Sequence, residues 1–125
     1  MIKIKNSLVL RELLISRYHP ILIELILWVL QRYDGIVITS GYRDGDKGVH
    51  GTESCRGIDI RSWGLKKKDG SDTNAGVLCT EINTTWKYDP KRPDKLCAVH
   101  HNSGSGLHVH LQVHKNTTMN GAQDK

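Results

Sequence analysis

Two histidines, His108 and His110, stand two apart in a run that alternates strictly. Leu107, Val109, Leu111 and Val113 fall on one side, and His108, His110, Gln112 and His114 on the other. Residues two apart share one face of a β-strand, so this run predicts a strand that rests its apolar side on a core and presents two imidazoles together on the other. Asp59 lies in Gly57-Ile58-Asp59-Ile60, between two isoleucines that point the other way. A carboxylate there loses hydration and needs a compensating cation or hydrogen-bond donors. A salt bridge to Arg56 or Arg61 is the plain structural solution. The chemical one uses His50, nine positions earlier: His50, Asp59 and one of the strand histidines make a His-Asp-His donor set. Three such ligands leave one tetrahedral zinc position open, the arrangement of catalytic sites. There zinc lowers the pKa of a bound water to about 7 and polarises a carbonyl. The remaining strand histidine would be placed to handle protons. The donor types alone also fit other divalent metals. A third object, Thr39-Ser40-Gly41-Tyr42-Arg43, closes a β-branched run. Arg43 at such a strand exit can grip a carboxylate or a developing oxyanion.

The elements that must carry these residues follow from periodicity. Leu8 to Leu14 suits a short helix with one buried face. His19-Pro20 opens a second helix, with proline at an early position where its missing N–H costs little. Ile21 to Leu30 is apolar almost all round and is expected to be central to the core. Asp34-Gly35 stops it, and Ile36 to Thr39 reads as a first strand. Residues 40 to 53 read as an exposed loop and Gly57 to Arg61 as a second strand. Trp63 to Asn74 is a polar connection, and Ala75 to Trp86 a third helix. Leu96 to Val99 is a third strand, joined in a hairpin through the turn Asn102 to Gly106 to the strand Leu107 to Val113. The expectation is an α+β domain, with helices on one face of a small, mainly antiparallel sheet and the site on the other. It spans residues 1–114, with a polar, frayed tail at 115–125.

The length of 125 residues is that of one domain. With 38% hydrophobic and 25% charged residues, the composition is globular rather than disordered. The longest apolar run, Pro20 to Leu30, is interrupted by Glu24 and falls short of the roughly 20 residues a membrane span needs. No secretory signal pattern is visible. The net charge of +5 suits a polyanionic partner such as nucleic acid, anionic lipid or cell wall. The one tight basic cluster, Lys66-Lys67-Lys68, reads as a solvated turn. Cys55, Cys79 and Cys97 are an odd number without metal-type spacing, which points to thiols in a reducing compartment. Cys79 and Cys97 are expected in the core. Trp63 and Trp86 are read as core or as the walls of a groove.

The order of these pieces resembles the zinc D-alanyl-D-alanine carboxypeptidase and L-alanyl-D-glutamate endopeptidase family, whose fold is shared with the hedgehog signalling domain. The pieces are an apolar helix, Ile38-Thr39-Ser40-Gly41-Tyr42-Arg43, a histidine in a Gly-rich loop, Gly57-Ile58-Asp59-Ile60 and a final His-x-His strand. The resemblance covers roughly Leu8 to Val113. It implies a zinc peptidase of peptidoglycan stem peptides with His50, Asp59 and His110 as zinc ligands. His108 takes the place of the catalytic base, and Arg43, with Tyr42 and Ser40, contacts substrate. The usual first motif has Ser two before the histidine and seven residues from histidine to aspartate. Here Gly48 replaces the Ser, Cys55 and Gly57 stand where Gly and Ala are usual, and the gap is two residues longer. Asp46, Glu53 and Cys55 are alternative donors within that loop.

The implied protein is a monomer that neither enters a membrane nor binds nucleic acid. The implied setting is cytoplasmic synthesis and action on a cell wall after release, as for a phage lysis enzyme. Three rivals stand beside it. One is a non-catalytic zinc-bearing module of the same fold, and another a lysostaphin-type endopeptidase, whose last motif Ser105 to Leu111 resembles. The third is a basic nucleic-acid-binding protein, which predicts salt-sensitive affinity and no metal.

Overall fold

The computed structural model describes residues 2–14, 17–41, 54–102 and 107–119. Three helices are present among them. In α1 (Ser7–Leu14) the Asn6 side chain accepts a hydrogen bond from the Val9 N–H at 3.0 Å, satisfying a donor that the first helical turn cannot. In α2 (Pro20–Leu30) His19 Nδ1 does the same for Ile21 at 3.2 Å, with Pro20 in the first turn. In α3 (Ala75–Thr85) Asn74 caps Val77 at 2.9 Å. The third helix ends one residue earlier than its pattern predicts, and Trp86 continues in extended backbone. No helix among the described residues is long and apolar enough to cross a membrane.

The main sheet has the order β1 (Lys3–Ile4), β4 (Val37–Ser40), β6 (Gly57–Arg61), β10 (Leu107–Gln112), β9 (Ala98–Asn102). Only β1 and β4 run parallel; the other pairs are antiparallel. Three two-stranded ribbons surround it. They join β2 (Arg17–Tyr18) with β5 (Ser54–Cys55), β3 (Tyr33–Asp34) with β7 (Lys66–Lys67), and β8 (Trp86–Lys87) with β11 (Thr118–Met119). The mixed α+β class and the mainly antiparallel sheet agree with the expectation.

Ile38, Ile58, Ile60, Val109 and Leu111 form the core side of the sheet, against Val9, Leu22, Leu25, Val29, Leu78 and Ile82 of the helices. Helix α2 differs from the all-round burial its composition predicts. Leu22, Leu25 and Val29 are buried, but Leu27 is 53% exposed and Ile23 45%. A domain of this size packs against one face of an eleven-residue helix, and the opposite face meets water whatever its sequence. The stretch from Lys115 also differs. Thr117 is buried, and Thr118 and Met119 pair with Lys87 and Trp86; residues 120–125 lie outside the described residues.

The polar connection after β6 is tied down as well. Gly35, with φ +77°, lies so close to the chain at Gly64 that a Cβ there would meet the Gly64 carbonyl oxygen at 2.0 Å, so only glycine fits. The three lysines that follow are each neutralised: Lys66 by Asp72 at 3.3 Å, Lys67 by Glu81 at 3.1 Å and Lys68 by Asp34 at 2.7 Å.

Candidate metal and substrate site

Antiparallel pairing of β6 with β10 sets Asp59 directly opposite His110 and Arg61 opposite His108. Because side chains alternate, Asp59, His108 and His110 all leave the face away from the core. The Asp59 carboxylate, in a residue 7% exposed, has its Oδ1 2.8 Å from His110 Nδ1 and 3.7 Å from His108 Nε2. The salt bridges that could have explained Asp59 are not made. Arg56 turns to the Tyr88 hydroxyl and the Val113 carbonyl, and Arg61 to the Trp63 carbonyl. The imidazoles take their place, and the structure brings Asp59, His108 and His110 together on one face.

A shift in the β4–β6 pairing, between Ile38 opposite Ile60 and Ser40 opposite Asp59, brings Ser40 level with the carboxylate. Bulges of this kind re-aim strand ends beside functional sites. The strand exit is held from α1, where the Glu12 carboxylate accepts the Gly41 N–H at 3.0 Å. A cavity of about 600 Å³ opens on this face, lined by Ser40, Asp59 and His108 among others. Tyr42, Arg43 and His50, with the alternative donors Asp46 and Glu53, lie outside the described residues.

Gln112 was not singled out by motif, although it shares the histidines' face two residues on. Its amide Nε2 donates to the Leu96 carbonyl at 2.8 Å, which turns its Oε1 toward His110 Nε2 at 3.1 Å. A carbonyl oxygen only accepts, so His110 Nε2 carries the proton. In a neutral ring Nδ1 then presents a lone pair to the Asp59 carboxylate. Two acceptors facing each other at 2.8 Å need a cation between or beside them, either a proton or a metal ion. Adjacent ligand atoms on a tetrahedral zinc stand about 3.3 Å apart, from bond lengths near 2.0 Å. The Asp59–His110 spacing of 2.8 Å is that of a direct hydrogen bond and shorter than that edge, so the pair would have to part slightly to share an ion; a second residue that fixes the ligand's tautomer is the usual companion of a metal-bound imidazole. Asp59 and His110 are thus of donor types that zinc takes, standing side by side. Among the described residues no complete set of three donors surrounds one point, and the expected third ligand, His50, is outside them.

The cysteines take no part among the described groups that face the cavity. Burial pushes the Cys97 thiol up to about 12 and the Cys79 thiol to about 11, so both stay protonated core groups. Cys55 is fully buried, with its Sγ 3.2 Å from the Gly57 carbonyl. The tryptophans divide: Trp86 is buried edge-on against Trp28, whereas Trp63 is 67% exposed and lines the cavity. His114 sits on the Tyr88 ring near Asp89, away from the site. No protein-family model, no curated protein and no solved structure matches the chain.

Proposed function

We propose that the protein is a zinc-dependent peptidase acting on peptidoglycan stem peptides. The observation that supports this most is the Gln112–His110–Asp59 chain, in which Gln112 holds one nitrogen of the imidazole and the other faces, at 2.8 Å, a buried carboxylate that lines a peptide-sized cavity. Asp59 and His110, with His50, would hold the ion. When bound, zinc supplies Lewis acidity at a scissile carbonyl and a water that ionises near neutral pH. The residues of the chain do the rest. The cavity walls exclude bulk water and seat the peptide, with Ser40 at the bulge and Arg43 to grip a polar group of the substrate. His108, whose Nε2 stands 3.7 Å from Asp59, accepts a proton from the attacking water and returns it to the departing amine nitrogen. One water is consumed, the C–N bond breaks, and an acid and an amine are released.

The test is metal analysis of the purified protein beside Asp59→Ala, His110→Ala, His50→Ala and His108→Ala, together with incubation on purified peptidoglycan and assay of new amine termini. The expected pattern is loss of metal in the first three, and retained metal without cleavage in His108→Ala. Full metal in His50→Ala would move the first ligand elsewhere in that loop. Metal without cleavage in the wild type would make the protein a binding module rather than an enzyme.

A further inference from the structure

The cations of the cavity point to a second recognition element, and we propose that Lys3 and Lys5 on the edge strand, with Arg61 beside them, form a subsite for a carboxylate that the ligand carries away from its reacting bond. This rests on reading the Asp59 face as a peptide site, and it adds which peptides that face selects.

Lys3 lies opposite Val37 in the parallel β1–β4 pair, and Lys3, Lys5, Val37, Thr39 and Arg61 all line the cavity that contains Asp59 and His108. The charges here differ from those elsewhere. Lys66, Lys67, Lys68 and Arg92 each sit on a carboxylate, whereas among the described residues no carboxylate is in ion-pair range of Lys3, Lys5 or Arg61. Asp59, the one acidic residue among the described residues that line the cavity, is engaged with the two imidazoles. The cluster that stands out in the sequence is thus neutralised within the fold. Two cations of the edge strand and a third from β6, distant in the chain, are gathered around one concavity, and among the described residues none of them sits on a carboxylate. Like charges gathered around one concavity add to a common field that draws an anion toward it.

Arg61 is set in advance. Its Nε–H donates to the Trp63 carbonyl at 3.0 Å, and its guanidinium lies 3.7 Å from the centre of the Trp63 ring. Gly64 leaves it room, since a Cβ at Gly64 would come within 2.7 Å of Arg61 Nη2. A cation already held in place gives up little conformational freedom on binding. The cavity, at about 600 Å³, is of the size that takes a small molecule or a peptide segment. A nucleic-acid duplex would need an extended basic face instead.

The test uses two synthetic stem-type peptides of one sequence, one with free carboxylates and one with every carboxylate as the carboxamide. Binding is read by intrinsic tryptophan fluorescence, and cleavage is followed separately. The acid peptide is expected to bind about tenfold more tightly than the amide in the wild type, the scale of one charge-assisted contact. The Lys3→Gln/Lys5→Gln variant, which alters only exposed side chains, is expected to bring the two within about twofold. Lys66→Gln/Lys68→Gln, which removes equal charge elsewhere, is expected to keep the full preference. Preference unchanged in Lys3→Gln/Lys5→Gln, equal loss in both double variants, binding of neither peptide, or tighter binding of a DNA duplex than of the acid peptide would each overturn the subsite. Acid-selective binding without cleavage would sustain the subsite and overturn the peptidase reading. Equal binding and cleavage of both peptides would do the reverse.

Discussion

Replacing Gln112 by Leu isolates the contact that orders His110. The side chain makes two hydrogen bonds, 2.8 Å to the Leu96 carbonyl and 3.1 Å to His110 Nε2. Leu96 is 44% exposed, so water replaces the first bond at little cost. The second fixes the imidazole, and losing it frees the ring to turn and to exchange tautomers. Loss of such an outer partner typically lowers metal affinity about 10- to 100-fold, equivalent to about 1.4–2.7 kcal/mol. Zinc affinity measured by competition with a chromophoric chelator is expected to fall within that range in Gln112→Leu. The metal-free protein offers an independent readout: ¹⁵N-detected NMR of His110 is expected to report Nε2 protonated in the wild type and a mixture of tautomers in the variant. Gln112→Glu keeps an acceptor toward Nε2 and is expected to retain the wild-type tautomer. Unfolding in urea within about 3 kcal/mol of wild type would confirm that the variant is folded, since each of the two lost hydrogen bonds contributes about 0.5–1.5 kcal/mol. Unchanged zinc affinity with an unchanged tautomer in Gln112→Leu would refute the reasoning, because His110 would then be ordered by something else.

Two further outcomes test the frame around the site. Asn83 of α3 clasps the edge strand β9, donating to the Ala98 carbonyl at 2.8 Å and accepting its N–H at 3.0 Å, and Ala98 is only 1% exposed. Asn83→Ala orphans both groups and is expected to cost about 2–4 kcal/mol in urea unfolding, from about 1–3 kcal/mol per unsatisfied buried group with some water entry; a loss under about 0.5 kcal/mol would show that β9 does not depend on the clasp. Glu81 is held below the usual carboxylate range by the Tyr33 hydroxyl and then by Lys67. Because its folded value is depressed, its contribution is present above the unfolded carboxylate pKa near 4.3 and fades as pH falls through the folded value. Tyr33 is raised, by burial and then by Glu81, so its contribution is lost as pH rises past about 10, where the unfolded chain ionises first. Urea unfolding between pH 3 and 11 is expected to show both declines, and Glu81→Gln to flatten the acid limb; an unchanged acid limb in Glu81→Gln would remove Glu81 from the account.

Much of this was written in local pattern. Alternation in Leu107–Val113 and Gly57–Arg61 assigned those residues their faces. The caps at Asn6, His19 and Asn74, with proline after His19, started the helices where the apolar periodicity begins. These features depend on repeats of 2 and 3.6 residues and on hydrogen bonds spanning two or three positions, so a single stretch of chain encodes them. The meeting of Asp59 with His110 follows once the two strands pair in register, and their apolar faces admit only registers that keep the isoleucines and Val109 inward.

The rest depended on contacts between distant segments. Nothing near Lys3 and Lys5 in sequence says that they come to line the cavity that holds Asp59. The bulge that levels Ser40 with Asp59, and the pairing of Thr118 with Lys87, likewise need a partner strand before they exist. Helix α2 is apolar enough to be buried on every side, yet what covers it is set by the size of the sheet it lies on. Sequence chose which side chains share a face; tertiary packing chose their neighbours, because charge pairing and burial are decided by what arrives from elsewhere in the chain.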